Sequence, residues 1–217
     1  MQHKDVNYDP LQHPSIVEIK REMEIESEKS FVFQKVTEQN VEKIVNNINI
    51  KKATGVDGIP AKVVKNCKEA IIPNLTLLIN LSVENCIFPD RLKQAQVTPL
   101  HRKNNPLKKS NYNLQTGQCL AYFFKKFGKG YGNYFNNIFH PYLCAFRKGH
   151  GCQTTLLRLI EDWRTALDKN QYIAAVLMDL SKAFDCLPHE ILLDKLSAYG
   201  VLPHSVSLLK SYLTNRK

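Results

Sequence analysis

The sequence predicts an α/β fold in which helices predominate. Most apolar runs repeat with the spacing of an amphipathic helix, whereas residues 96–100 and 172–178 have the apolar and β-branched character of short strands. Apolar residues make up 43% of the 217 residues and charged residues 23%, a balance typical of globular proteins. The sequence shows no signal peptide and no apolar run of membrane-spanning length, so we expect an intracellular protein without a membrane partner.

The N-terminal part predicts a linker followed by a helix. Residues 1–30 are polar, and Pro10 and Pro14 interrupt any long helix there. Thr37 can cap a helix whose apolar face has i, i+3, i+4, i+7 spacing. That face consists of Val41, Ile44, Val45 and Ile48. Residues 51–60 form a basic, glycine-containing turn that ends this helix.

Four further helices are predicted along the chain. They cover residues 71–87, 153–167, 188–196 and 203–212, and the last two begin with a proline, which the first helical turn tolerates. The helix over 71–87 should direct these side chains inward: Leu75, Leu78, Ile79 and Ser82 or Val83. The strand at 96–100 leads into a basic turn that contains Arg102 and Lys103.

The second predicted strand ends at a carboxylate. Residues 172–178 suit a buried strand, and Asp179 follows directly. A carboxylate at that position costs free energy unless it is neutralised, which a divalent cation does well. The alternative is that Asp179 or Ser181 caps the helix that follows. Spacing alone leaves both interpretations open.

Charge is unevenly distributed along the chain. The net formal charge is +10, but residues 1–30 contain four Lys/Arg and seven Asp/Glu, or −3, so residues 31–217 carry +13. A basic body favours a polyanionic partner, because each phosphate contact releases counterions; a soluble basic protein without such a partner is the alternative. The six cysteines include no Cys-x-x-Cys pair, which favours reduced thiols, and Cys144, His150 and Cys152 lack a fourth ligand for zinc.

Six motifs occur in the order in which one protein family has them. They are KKATGVDGIP at 51–60, FPDRLK at 88–93, VTPL at 97–100, FRKGH at 146–150, MDLSKAFD at 178–185 and SYLTNR at 211–216. These motifs resemble the reverse transcriptases of non-LTR (LINE-type, jockey-like) retrotransposons. The resemblance runs from about residue 31 to the last residue, with one break.

The resemblance implies a truncated right-hand polymerase fold. Residues 31–170 would form mainly helical fingers, and residues 171–217 would contribute the first palm strand and the helices after it. Residues 113–133 depart from the family pattern, and we interpret the break as a pair of compensating frameshifts. Within it, Asn113 replaces a family arginine that faces the triphosphate.

The resemblance also implies a metal site. Asp179 would bridge two Mg²⁺ ions, for which Mn²⁺ could substitute, and the main-chain carbonyl of Leu180 would help to hold them. Phe184 would lie beneath the incoming sugar and exclude a ribose 2′-hydroxyl, or else would pack in the core.

Basic residues complete the implied site. Arg102 and Lys103 would face the triphosphate, or else would belong to a solvated basic loop. Arg147 and Lys148 would contact nucleic acid, with an ordinary surface arginine as the alternative for Arg147.

The family's second carboxylate pair, an aromatic-x-Asp-Asp hairpin, has no counterpart here, because the sequence contains no Asp-Asp pair. We therefore expect a fragment of an RNA-directed DNA polymerase that is inactive in this form. The intact family uses an RNA template, a DNA primer, dNTPs and Mg²⁺. A second function class is a non-catalytic, basic nucleic-acid-binding remnant, and a third is a reading frame whose product does not fold stably.

Overall fold

The computed structural model describes residues 9, 12–25, 30–50, 54, 58–94, 96–101, 112–117, 134–135, 138, 140, 142–145, 147, 149–178 and 187–215. For residues 24–25, 96–101 and 112–117 the description is of the backbone alone. The chain divides into two compact units, the first formed by residues 1–128 and 188–217 and the second by residues 129–187.

Helices dominate the described part of the chain. In order, the elements are α1 (Pro14–Ile25), α2 (Glu38–Asn46), α3 (Ala61–Asn66), α4 (Lys68–Asn85), a 3₁₀ turn (Asp90–Leu92), β1 (Gln96–His101), β2 (Tyr112–Gly117), α5 (Cys152–Asp168), α6 (His189–Ala198) and α7 (Pro203–Leu213). Across these ranges no helix combines the length and the apolar character needed to span a bilayer.

The main core of the first unit lies between α2, α3 and α4. Thr37 caps α2 as predicted, since its Oγ1 accepts a hydrogen bond from the backbone N–H of Asn40 at 3.3 Å. The three helices bury one cluster of apolar side chains: Val41, Ile44, Val45, Ile48, Ala61, Ile72, Leu75 and Ile79. The predicted inward face of α2 is therefore confirmed.

The predicted face of α4 needs one correction. Leu75, Ile79, Ser82 and Val83 are buried, as the spacing indicates, but Leu78 is exposed. Leu78 precedes Ile79 by one residue and so lies about 100° around the helix axis from it. Ile72 and Thr76 are buried as well, so the buried stripe is shifted around the helix, away from Leu78.

The remaining helices of the first unit pack in a second group. α7 packs against α4, where Val83, Phe88 and Leu208 form a buried cluster, and α6 packs against both α1 and α7. α1 lies inside the segment 1–30 that the sequence assigned to a linker. Its Ile16 and Ile19 are buried, and Pro14 occupies the first helical position, where a missing N–H costs little.

A strap, residues 30–37, ties these helices together through main-chain hydrogen bonds. The Phe31 N–H donates to the Gly200 carbonyl at 2.9 Å, and the Leu202 N–H donates to the Phe31 carbonyl at 2.9 Å. Further along, the Phe33 N–H donates to Ser205 Oγ at 2.8 Å. Each contact joins residues that are far apart in sequence, so the strap fixes α7 relative to the N-terminal helices.

β1 and β2 form an antiparallel pair, with Gln96 opposite Gly117 and His101 opposite Tyr112. The strand predicted at 96–100 is confirmed. β2 begins within one residue of the segment 113–133 that departs from the family pattern, and residues 118–133 lie outside the described part of the chain.

The second unit differs from the sequence prediction after α5. The helix lies where it is predicted, but the strand predicted at 172–178 is not formed, and Leu177 is 95% exposed. A strand is stable only when a neighbour completes its hydrogen-bond ladder, and no described strand lies beside these residues. The described sheet is the single β1–β2 pair, so the described fold is far more helical than α/β.

Candidate nucleic-acid interface

The structure describes one of the seven residues that the sequence predicts for catalysis and binding. That residue is Arg147. The other six lie outside the described residues and stay predictions: Arg102, Lys103, Lys148, Asp179, Leu180 and Phe184. Among the described residues, the candidate site therefore consists of the loop around Arg147 and the helix that follows it.

Arg147 organises this loop from within. Its Nη1 donates to the carbonyl oxygen of Leu143 at 3.2 Å and to that of His140 at 3.4 Å. The Arg147 carbonyl in turn accepts a hydrogen bond from the His150 N–H at 3.3 Å. These two contacts through one nitrogen fix the position of the guanidinium at the loop. Arg147 thus has a structural role that the sequence did not indicate.

Two aromatic rings and a second guanidinium extend this loop. The rings of His140 and Tyr142 are stacked, with centroids 5.4 Å apart and an angle of 23° between their planes. The Cζ of Arg158, on α5, lies 4.2 Å from the centroid of the Tyr142 ring, which is a cation–π contact. The tyrosine is nevertheless exposed. We call His140, Tyr142, Arg147 and Arg158 the loop–helix cluster.

The start of α5 is held by its own cap. Thr154 Oγ1 accepts a hydrogen bond from the Gly151 N–H at 2.8 Å and donates one to the Gly151 carbonyl at 2.8 Å. Gly149 has a φ of +80°, a conformation that side-chain-bearing residues rarely adopt. The loop therefore meets α5 in a defined geometry, which holds Arg158 against Tyr142.

These residue types are the ones that proteins commonly use to contact nucleic acid. Guanidinium groups contact phosphates, and exposed aromatic rings stack on bases with little sequence preference. The sequence prediction names Arg147 but not His140, Tyr142 or Arg158. Basic and aromatic residues are interleaved between 140 and 158, which is the sequence pattern that could have indicated these residues. Their contacts across the loop cannot be predicted from spacing.

The residues predicted to bind metal are Asp179 and Leu180, which lie outside the described part of the chain. Within the described ranges, no group of three His, Cys, Asp or Glu side chains is placed to hold a metal ion. The carboxylate of Asp179 and the carbonyl of Leu180 are hard oxygen donors of the type that Mg²⁺ prefers. They fit such an ion, but they would fill only two of about six coordination positions.

The comparison with known proteins points to transposon RNA-directed DNA polymerases, a broader class than the non-LTR family that the motifs resemble. No family model matches the chain. The chain is 24% identical over 187 residues to a probable RNA-directed DNA polymerase from transposon BS of Drosophila melanogaster, covering 82% of this chain and 20% of that protein. The chain therefore spans about one fifth of the length of this relative. The similarity supports a relationship to the RNA-directed DNA polymerases of transposons.

Proposed function

We propose that this chain is part of the RNA-directed DNA polymerase of a non-LTR retrotransposon, comprising its fingers and the start of its palm. The observation that carries the proposal is the similarity to a transposon polymerase over 82% of the chain. The order of the six motifs supports the non-LTR subtype. The proposed substrates are an RNA template, a DNA primer and dNTPs.

In this proposal the loop–helix cluster binds the nucleic acid. Arg147 and Arg158 supply positive charge at the phosphates, and Tyr142, whose ring contacts both His140 and Arg158, keeps the Arg158 guanidinium in place. Lys148 lies next to Arg147 in sequence and adds a cation. Arg102 and Lys103 are assigned to the triphosphate, and Phe184 to the sugar of the incoming nucleotide.

Asp179 and the Leu180 carbonyl are assigned to the metal site. Bound Mg²⁺ would stabilise the charge that develops on the attacking and leaving oxygens during nucleotidyl transfer. One carboxylate and one carbonyl cannot fix two such ions, and the sequence contains no Asp-Asp pair to complete the site. We therefore propose that these 217 residues alone bind template and primer but do not extend the primer.

The test combines binding and activity on the purified chain. Fluorescence anisotropy with an RNA template annealed to a DNA primer should show binding that weakens linearly on a log–log plot against salt, by roughly one unit of slope per phosphate neutralised. Extension of the primer with Mg²⁺ and dNTPs should be undetectable. Salt-independent binding would contradict the nucleic-acid assignment, and Mg²⁺-dependent extension would contradict the proposed inactivity.

A matched pair of charge variants locates the binding surface. Arg158→Gln removes a cation from the loop–helix cluster, whereas Lys20→Gln removes one from α1, inside the acidic segment 1–30. Both change the net charge equally. We expect Arg158→Gln to weaken binding by roughly three- to ten-fold and Lys20→Gln to have no effect, because only contacts to phosphates release counterions. Equal losses would place the nucleic acid elsewhere.

A further inference from the structure

A cysteine and a histidine meet at the junction between α4 and α7. Cys86 ends α4 in the left-handed conformation, with φ of 56°, and His204 lies in the first turn of α7. The Cys86 Sγ is 3.0 Å from His204 Nδ1. Residues that are 118 apart in sequence thus bring a thiol and an imidazole into hydrogen-bond contact.

The second imidazole nitrogen fixes the tautomer of His204. His204 Nε2 is 2.7 Å from the carbonyl oxygen of Val83, which can only accept a hydrogen bond. Nε2 must therefore carry a proton, and in the neutral ring Nδ1 is left with a lone pair that faces the thiol. A nucleophile, a base beside it and a third group that orients the base form the arrangement in which a thiol is activated.

The proton of the Cys86 thiol has three acceptors within reach, of which the Val83 carbonyl oxygen, at 4.0 Å from Sγ, is the most distant. The backbone carbonyl oxygen of His204 is 3.1 Å from Sγ, close to the distance of Nδ1. A carbonyl oxygen can share this proton but cannot carry it as a base. Nδ1 can take it fully, and the resulting imidazolium would still donate one hydrogen bond to Sγ and one to Val83.

We propose that Cys86 and His204 form a thiol–imidazole pair that makes Cys86 a site of oxidation by small hydroperoxides. The sulfur attacks one peroxide oxygen, so an S–O bond forms as the O–O bond breaks. The thiol proton passes to His204 Nδ1 and then to the departing oxyanion, which leaves as water from hydrogen peroxide or as an alcohol from an alkyl hydroperoxide. The sulfur is oxidised to a sulfenic acid, and the peroxide is reduced.

Oxidation has a structural consequence at this junction. An oxygen on the sulfur takes the place of the thiol proton that Nδ1 accepts, so the 3.0 Å contact between Sγ and Nδ1 does not persist unchanged. The His204 ring is also held by Val83, whose side chain belongs to the buried cluster with Phe88 and Leu208. Oxidised protein should therefore melt at a lower temperature than reduced protein, and the Cys86→Ser variant should show no such shift.

The experiment compares two cysteines of the same molecule. The purified chain is treated with hydrogen peroxide and trapped with dimedone, and labelling of each cysteine is followed by peptide mass spectrometry. Cys67 is more exposed than Cys86, so accessibility alone predicts faster labelling of Cys67. We expect Cys86 to label faster in the native protein and both to label at similar rates in denaturant. Labelling of native Cys86 no faster than Cys67 would overturn the proposal.

A variant of His204 distinguishes the effect of the imidazole base from the effect of the hydrogen bond that supports the fold. His204→Gln keeps an amide N–H able to donate to the Val83 carbonyl but removes the base at Nδ1. We expect its Cys86 labelling to fall roughly ten-fold or more, with Cys67 unchanged. An unchanged Cys86 rate in a variant that melts cooperatively would also overturn the proposal. If the variant does not fold, the proposal is tested on the unaltered protein, by the labelling rates of Cys86 and Cys67 in the native state and in denaturant.

Discussion

α4 and α5 are helices of similar length whose apolar residues have different fates. α4 has 18 residues and α5 has 17, and both repeat apolar side chains with helical spacing. Ile79 of α4 is 1% exposed, whereas Ile160 of α5 is 48% exposed. Periodicity predicts that a helix forms and which residues share a face, but it carries no information about what covers that face.

The difference determines which interactions stabilise each helix. α4 is stabilised by apolar area removed from water against α2, α3 and α7. α5 has no buried residue along its length, so its local stability rests on its main-chain hydrogen bonds and on the cap at Gly151. Helices of this length are marginal without tertiary packing. We therefore expect slower amide hydrogen exchange in α4 than in α5.

A pair of isoleucine substitutions tests this contrast with the largest expected effect. Ile79→Ala deletes buried methyl and methylene groups and leaves a cavity, and should lower the free energy of unfolding by about 2–4 kcal/mol. Ile160→Ala removes an exposed side chain and adds a residue with better helix propensity, so its effect should lie within about 0.5 kcal/mol of zero. Urea denaturation monitored by circular dichroism measures both. Similar losses in the two variants would mean that α5 is packed as tightly as α4.

Substitution of two asparagines of α4 should give the next largest difference in the free energy of unfolding. Asn80 Oδ1 accepts a hydrogen bond from the Val36 N–H at 2.8 Å, and its Nδ2 donates to the Val36 carbonyl at 3.0 Å, which holds the strap on α4. Asn74 donates only to the Ala70 carbonyl of its own helix. Asn80→Ala should lower the free energy of unfolding by about 1–3 kcal/mol, because the N–H and the carbonyl of Val36 both lose their partner. Asn74→Ala should change it little. Equal unfolding free energies for the two variants would show that the strap is not needed for stability.

The smallest expected effect concerns the ion pair between α2 and α4. Lys68 Nζ lies 3.0 Å from Glu42 Oε1, and this hydrogen bond and the positive charge hold the pKa of Glu42 below its ordinary value. A carboxyl group whose pKa is lowered by folding stabilises the protein above its unfolded pKa, and the gain is lost as pH falls through the folded pKa. Glu42→Gln should therefore lower Tm slightly at neutral pH but not below about pH 3.

Its control is Glu161→Gln, which makes the same charge change on α5. Solvent screens the Glu42 pair, since both of its side chains are substantially exposed. A Tm difference between Glu42→Gln and the parent chain that persists at low pH would contradict the ion-pair account.

Local signals predicted the helices well. Three kinds of signal act within one or two helical turns, so their consequences can be read from sequence. They are the Thr37 cap, the prolines at the starts of α6 and α7, and the apolar spacing of α2. α1 was missed because Pro10 and Pro14 were interpreted as helix breakers, although Pro14 stands at the first helical position and Ile16 and Ile19 have the spacing of a buried face. The positional meaning of a proline, rather than its presence, carried the information.

Long-range pairing could not be predicted in the same way. The strand expected at 172–178 has suitable residues, yet pairing depends on a partner that these residues do not specify. Two other contacts likewise join residues that are distant in sequence. One is the contact between Cys86 and His204, and the other is the pair of hydrogen bonds between Val36 of the strap and Asn80. The motif prediction of Asp179 and its neighbours is a family resemblance, and it concerns residues that the structure does not describe.

We propose that Asp179 is the metal-binding carboxylate of this chain. The most direct measurement is the broadening of backbone amide signals by Mn²⁺ in NMR spectra of the purified chain. The parent protein is compared with Asp179→Asn and with Asp185→Asn, the control that removes the other carboxylate of the 178–185 motif. We predict that Mn²⁺ selectively broadens amides near residue 179, and that this effect is lost in Asp179→Asn but kept in Asp185→Asn. Identical broadening in the parent protein and Asp179→Asn would contradict the claim.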